Sequence, residues 1–147
     1  MKTKAAFWDT SALIPLICQQ SNSTQARQWA RVHRPLVVWW GTYVESFNTI
    51  ARLLREGALT QAQFDQAYQR LQSLRRTWVE IAPTNRIVEL AEKVLLPHSL
   101  SSADGLQLAA ALAWCGDRPR RHTFICADKK LSEVAEKIGF DVRFLPT

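Results

Sequence analysis

The sequence is poor in cysteine, and the few it has are placed where they form no recognisable site. Its 147 residues contain three cysteines, Cys18, Cys115 and Cys126, each inside an apolar run and far from the others. This spacing indicates neither a disulfide framework nor a Cys-x-x-Cys metal site. The three are typical of small core residues in a reducing compartment.

Long apolar runs and targeting features are also lacking. No stretch approaches the roughly 20 apolar residues that a membrane-spanning helix needs. Lys2 and Lys4 open the chain, but Asp9 interrupts the first apolar segment after a few residues. That interruption argues against a secretory signal. We therefore predict a cytoplasmic protein without a membrane partner.

Several catalytic classes lack their motifs. No glycine-rich Lys-Ser/Thr loop is present, which excludes a P-loop nucleotide hydrolase. His33, His98 and His122 are scattered and have no zinc-binding spacing. A haloacid dehalogenase-type phosphatase needs a second acid two residues after its nucleophile, and Ser11 stands at that position after Asp9.

The composition is that of an ordinary globular domain with a basic surface. With 47% hydrophobic and 22% charged residues, the chain can bury a normal core, and its length predicts a single domain over residues 1–147. The net charge of +6 favours attraction to polyanions, nucleic acid first. Charge alone is equally compatible with a soluble basic protein that binds none.

Apolar segments alternate with stretches of helical periodicity along the whole chain. We predict a helical hairpin around residues 42–77 and strands at residues 4–8, 36–40, 79–82, 123–127 and 142–145. This alternation predicts an α/β fold, a three-layer α/β/α sandwich around a mostly parallel sheet of about five strands.

Four acids are predicted to meet at one edge of that sheet. Asp9 ends the first strand and Asp128 the fourth, whereas Glu45 and Asp104 lie in the first turns of two helices. In such folds strand carboxyl ends and many helix N-termini share the edge where ligands bind. The sequence therefore predicts a cluster of carboxylates at that edge.

Each acid also has a structural explanation when it is considered alone. Asp9 and Asp128 can cap helices, Thr42-x-x-Glu45 has the pattern of a capping box, and Ser101-x-x-Asp104 resembles one. Together, however, four neighbouring acids repel one another unless cations or raised pKa values compensate. An oxygen-only cluster suits Mg²⁺ or Mn²⁺, which can support hydrolysis of a bound phosphodiester.

The segments around these acids resemble a known superfamily in order and spacing. They are Phe7–Leu13, Tyr43–Ser46, Ala103–Ala109 and Phe124–Leu131, followed by the closing turn Gly139–Val142. With these motifs the chain resembles PIN-domain proteins and, among them, the VapC-type ribonuclease toxins of bacterial toxin–antitoxin pairs.

The resemblance implies a metal-dependent endoribonuclease in which Asp9, Glu45, Asp104 and Asp128 are the catalytic, metal-binding acids. Thr10 or Ser11 would be a nearby polar contact. It further implies Mg²⁺ or Mn²⁺ as cofactor, 5′-phosphate and 3′-hydroxyl products, homodimerisation, and inhibition by an antitoxin from the same operon. Cys126 stands where the family often has Ser or Thr, a departure that concerns a hydrogen bond to the metal-bound water or the phosphate and not the metal site itself.

Candidate RNA contacts are basic residues near the motifs or in the loop before the fourth strand: Arg52, Arg55, Arg118, Arg120, Arg121 and Lys129. Trp39 and Trp40 end the second strand, where one can stack on a base, although core or dimer packing explains both as well.

Two alternative functions stay open. One is a PIN-type nuclease that acts in RNA processing or DNA repair without an antitoxin, and the other is a catalytically silent nucleic-acid-binding module.

Overall fold

The computed structural model describes residues 2–147, so Met1, the first residue of the predicted domain, lies outside the described residues. The strands are β1 (Ala6–Trp8), β2 (Leu36–Trp39), β3 (Val79–Ile81), β4 (Thr123–Cys126) and β5 (Asp141–Phe144). The helices are α1 (Thr10–Ile17), α2 (Ser23–Val32), α3 (Thr42–Arg55), α4 (Gln61–Thr77), α5 (Asn85–Leu95), α6 (Ser102–Trp114) and α7 (Lys129–Ile138).

The strands form one sheet in the order β3-β2-β1-β4-β5, and every neighbouring pair is parallel. The chain builds outward from β1 in one direction through β2 and β3, and then in the other through β4 and β5. The order of the strands therefore reverses between β1 and β4, the position at which open α/β sheets bind ligands. The predicted α/β fold class is confirmed.

Side chains of β1 alternate between two hydrophobic clusters, one on each face of the sheet. Phe7 joins the cluster formed with α5, α6 and α7, and its ring stacks on Phe124 of β4 at 5.5 Å. Ala6 and Trp8 join the cluster formed with α1, α2, α3 and α4. Because both faces are covered, β1 is fully buried and consists only of apolar residues, as expected for a central parallel strand.

Helices α3 and α4 pack against each other through an aromatic cluster. Phe47 of α3 makes edge-on contacts with Phe64 and Tyr68 of α4. The start of α4 is fixed by a capping box, in which the Thr60 hydroxyl accepts from the Gln63 backbone and the Gln63 side chain accepts from the Thr60 backbone. These contacts hold α3, whose N-terminus reaches the ligand-binding edge of the sheet.

Helix α6 is the most buried helix and packs closely on α5. It runs back toward the opposite edge of the sheet and feeds β4, so Asp104 at its start and Asp128 after β4 lie at the same edge. Gly105 allows the close approach, because a Cβ atom there would lie 2.6 Å from Leu95 Cδ2 and 2.7 Å from Leu95 Cγ.

The described residues contain no helix that combines the length and the apolar character needed to cross a bilayer. Cys18, Cys115 and Cys126 are free thiols and are buried, as the sequence predicts.

The close approach of α5 and α6 can be tested at Gly105. We expect Gly105→Val to lower the free energy of unfolding by about 1–3 kcal/mol, because the added side chain collides with Leu95. Combining it with Leu95→Ala should cost clearly less than the sum of the two single changes in chemical denaturation. Strictly additive costs would show that the two residues do not limit the helix separation.

Candidate active site

The four predicted acids line one cleft at the carboxyl edge of the sheet. The cleft has a volume of about 590 Å³. Its other walls come from the α1–α2 turn, the outer part of α3, the segment after β4 and the C-terminal residue. The lining residues are Asp9, Thr10, Ser11, Ile14, Gln20, Asn22, Glu45, Thr49, Arg52, Asp104, Ala127, Asp128 and Thr147.

Asp9 lies at the centre of the edge and is almost entirely buried, with 4% of its surface exposed. Its backbone N–H donates to the Ile125 carbonyl of β4, which continues the β1–β4 pairing by one residue. Its Oδ2 accepts from the backbone N–H and the hydroxyl of Ser11, and the Ser11 hydroxyl accepts in turn from the Ala127 N–H. Asp9 is thus a helix cap and a cleft residue at once, and Ser11 fixes it to both strands.

Glu45 is held by side chains from two other helices. Its Oε1 accepts from the Thr10 hydroxyl at 2.6 Å and from the Gln107 amide at 2.9 Å. The Thr42-x-x-Glu45 capping box is wrong, because Gly41 occupies the N-cap position of α3 and no side-chain cap is formed. Thr42 instead accepts a hydrogen bond from Gln107 at 3.1 Å.

Asp104 and Asp128 complete the cleft from the α6 and α7 side. The Ser101 hydroxyl caps α6 by accepting from the Asp104 backbone N–H at 3.1 Å. The Asp128 carboxylate caps α7 by accepting from the Leu131 N–H at 2.9 Å through Oδ1. Both acids therefore have the capping environment predicted for them and still line the cleft.

The acids raise one another's affinity for protons. Burial raises the pKa of Asp9 to about 6, and the nearby charges of Asp104 and Glu45 add to the rise. The two hydrogen bonds from Ser11 act in the opposite direction and lower the pKa. The pKa of Asp104 is raised by burial, then by Asp128 and Glu45. The edge therefore carries more negative charge than its protein surroundings neutralise.

Cys126 lies beneath this cluster as an uncharged thiol. Burial, followed by the charge of Asp9, raises the pKa of Cys126 to about 12. Its Sγ lies 3.8 Å from Asp9 Oδ2 and 3.7 Å from the Ser11 hydroxyl. It also accepts from the Asp128 N–H at 3.3 Å. Cys126 therefore contacts the acids themselves and does not line the cleft.

The donor chemistry of the cleft fits a hard divalent cation. Four carboxylates surround it, with hydroxyls and no imidazole or thiolate, which is the ligand type that Mg²⁺ and Mn²⁺ prefer. Among residues 2–147, no three acidic, histidine or cysteine side chains already converge closely enough to hold an ion.

The predicted basic residues do not share one location. Arg52 lines the cleft, one helical turn beyond Thr49, while Arg55 at the end of α3 and Lys129 at the start of α7 are exposed and do not line it. The loop carrying Arg118, Arg120 and Arg121 precedes β4, whereas Asp128 follows it. These three arginines are therefore at the opposite edge of the sheet from the acids.

Three residues near the acids were not identified from the sequence. Gln107 and Thr42 form a buried polar network with Glu45. Lys130 lies near enough to Asp104 to oppose the rise in its pKa. For Gln107 a signal existed, because a glutamine inside an apolar, buried stretch of helix needs buried hydrogen-bond partners.

Solved structures with the same architecture include two from bacteria and one from an archaeon. A toxin–antitoxin complex from Klebsiella pneumoniae aligns at 19% identity with a TM-score of 0.63, covering 87% of this chain and 91% of that chain. FitAcB from Neisseria gonorrhoeae aligns at 15% identity with a TM-score of 0.62, covering 93% of this chain and 95% of that chain. PAE2754 from Pyrobaculum aerophilum aligns at 17% identity with a TM-score of 0.58, covering 89% of this chain and 79% of that chain. The chain has a PIN-like fold.

At these identities the likeness establishes the fold of the chain. No family model and no curated protein matches the sequence.

Removing the charge of Asp9 should change how stability depends on pH in the ion-free protein. The fold raises the pKa of Asp9 from its ordinary value of 3.8 to about 6. Its favourable contribution is therefore full below pH 3.8 and is lost as the pH rises through 6. At pH 8 the loss lowers the free energy of unfolding by about 3 kcal/mol relative to acid pH. Asp9→Asn avoids this loss because asparagine does not ionise.

Denaturation in EDTA at pH 4 and pH 8 measures this effect. We expect Asp9→Asn to gain stability over the wild type on going to pH 8, while Asp65→Asn on the exposed side of α4 follows the wild type. An identical pH dependence for wild type and Asp9→Asn would contradict a raised pKa at Asp9.

Proposed function

We propose that this protein is a metal-dependent endoribonuclease and the toxin of a toxin–antitoxin pair. One observation carries the nuclease proposal: carboxylates from four separate elements line a single cleft where the strand order reverses. A fold gains no stability from bringing like charges together, so the arrangement is best explained by a cationic ligand.

Asp9, Glu45, Asp104 and Asp128 would hold Mg²⁺ or Mn²⁺. Such an ion supplies a more acidic water and neutralises charge on a bound phosphate. The chain itself supplies the orientation of the carboxylates. Ser11 orients Asp9, and Thr10 and Gln107 orient Glu45.

RNA is the substrate class that the surface charge favours together with the resemblance to ribonuclease toxins. The net charge of +6 attracts the phosphate backbone over a wide area. At the cleft itself, Arg52 is the basic residue among the lining side chains. We propose that Arg52 contacts a phosphate next to the cleavage site, and that the exposed Arg55 and Lys129 are further contacts for the RNA backbone.

A protein partner is supported by a row of exposed apolar residues. Trp40, Val44 and Phe47 follow one another at helical spacing from the end of β2 into α3, and 52%, 66% and 38% of their surfaces are exposed. Exposed apolar patches commonly mark interaction sites. The similar structure from Klebsiella pneumoniae is described as a toxin–antitoxin complex. We therefore propose an antitoxin partner, a homodimer and action in the cytoplasm.

The nuclease proposal is tested most simply at Asp104, whose carboxylate is half-buried in the cleft. Asp104→Asn should reduce RNA cleavage by at least about a hundredfold, since it removes a charge that the ion needs. EDTA should silence the wild type, and Mg²⁺ or Mn²⁺ should restore it. Asp65→Asn is the matched control, because it removes one exposed carboxylate that does not line the cleft and should cleave normally. Full cleavage by Asp104→Asn, purified in parallel, would refute the proposal.

The toxin proposal is tested in cells. Induction of the wild-type chain should arrest growth, and induction of Asp104→Asn should not. Co-expression of the small protein encoded beside this gene should relieve the arrest. Arrest without relief by any neighbouring product would favour a nuclease that acts in RNA processing or DNA repair. RNA binding without metal-dependent cleavage would favour the silent binding module.

A further inference from the structure

Gln107 is a buried polar side chain in a helix that is otherwise apolar around it. It lies between Leu106 and Leu108 in α6, and 1% of its surface is exposed. Burying an amide without hydrogen bonds is costly, so a glutamine here requires specific partners. The fold supplies them from two other helices.

The Gln107 amide nitrogen lies within hydrogen-bond distance of three oxygens. It is 2.9 Å from Glu45 Oε1, 3.0 Å from the Thr10 hydroxyl and 3.1 Å from the Thr42 hydroxyl. An amide nitrogen has two hydrogens, so the three acceptors share two donors. The Thr10 hydroxyl donates its own proton to Glu45 Oε1. The Thr10 hydroxyl and the Gln107 amide therefore both donate to the same oxygen of the Glu45 carboxylate.

The orientation of this amide is set by the charge of Glu45. With Nε2 toward Glu45, the Gln107 Oε1 atom is buried and has no hydrogen-bond partner among the described residues. The reverse orientation would place Oε1 against the Glu45 carboxylate, where two acceptors repel. The fold leaves Oε1 unsatisfied because a hydrogen bond to a carboxylate is stronger than one between neutral groups.

Gln107 also connects two of the acids. It follows Asp104 by three residues in α6, so both side chains project from the same side of that helix. Glu45 belongs to α3, on the other face of the sheet. The Gln107–Glu45 hydrogen bond thus ties the helix that carries Asp104 to the helix that carries Glu45. It leaves Glu45 Oε2 as the oxygen available to the cleft.

We propose that Gln107 is a positioning residue, which fixes the Glu45 carboxylate relative to Asp104 so that both can bind one divalent cation. The inference rests on the proposed function, since the role of the acids is itself proposed there. Groups that orient metal ligands typically change ion affinity or activity by about 10–100-fold when they are removed.

Gln107→Met tests the proposal, because methionine fills a similar volume and donates no hydrogen bond. We expect kcat for RNA cleavage to fall about tenfold or more with KM for RNA nearly unchanged. The rise in melting temperature on adding Mn²⁺ should also shrink relative to the wild type. Leu108→Met is the matched control, since it repacks the adjacent position of α6 and leaves the amide in place. Equal kcat and equal Mn²⁺ response in Gln107→Met and wild type would overturn the proposal.

A second measurement needs neither the ion nor cleavage. In EDTA, a double-mutant cycle of Gln107→Met with Glu45→Met should give a coupling of at least about fivefold in the unfolding equilibrium constant. Additive effects would overturn the proposal. If Gln107→Met does not fold, the side-chain amide resonances of Gln107 in the ¹⁵N-labelled protein replace the cycle. They should shift on Glu45→Met and stay unchanged on Asp65→Asn, and unchanged resonances in both would overturn it.

The two proposals fail in different ways. A wild-type protein that neither responds to Mn²⁺ nor cleaves RNA refutes the proposed function, whatever the coupling between Gln107 and Glu45. A wild type that does both, together with a Gln107→Met variant that behaves identically, refutes the positioning role alone.

Discussion

Repulsion between carboxylates at one edge of the sheet is the constraint on which the site depends. Burial where β1 ends raises the pKa of Asp9 most, and the charges of Asp104 and Glu45 raise it further. Asp104 is affected in the same direction by Asp128. In an isolated domain this arrangement opposes folding, and the two large apolar clusters on either face of the sheet must offset it. A cation at the edge would turn the same four charges into an attraction.

Three of the four acids are kept in place by neutral donors instead of a positive charge. Ser11 holds Asp9, Thr10 and Gln107 hold Glu45, and the Leu131 N–H holds Asp128. A lysine or arginine in these positions would neutralise the acids and compete with an ion. Hydroxyl and amide donors orient a carboxylate and leave its charge available. The cleft is thus built to be rigid and still unneutralised, as a metal site requires.

Much of the site could be predicted from the chain because it depends on topology. Asp9 and Asp128 each follow an apolar strand, and in an α/β sheet such positions meet at one edge, as β1 and β4 do here. The dual role of Asp9 and Asp128, as caps and as cleft residues, follows from the same helix starts. The sequence also allows the prediction that Arg118, Arg120 and Arg121 lie at the opposite edge of the sheet from the acids, because their loop precedes β4.

The remainder depends on tertiary contacts that no local pattern reveals. Thr42-x-x-Glu45 has the spacing of a capping box, yet Glu45 turns to Thr10 and Gln107, which lie 35 positions before it and 62 after it in the chain. The pairing exists because α6 crosses the sheet beside β2 and meets the start of α3 from the opposite layer. A strong local signal was overridden by a charge-assisted hydrogen bond.

The most direct test of the account is the location of an ion in a crystal of this protein soaked in Mn²⁺. Anomalous difference density should appear in the cleft, in contact with oxygens of Asp9 and Asp104, and should be absent from crystals of Asp104→Asn treated in the same way. A fully soaked crystal with no density at the four carboxylates, or with manganese bound only elsewhere, would contradict the central claim that these acids share a divalent cation.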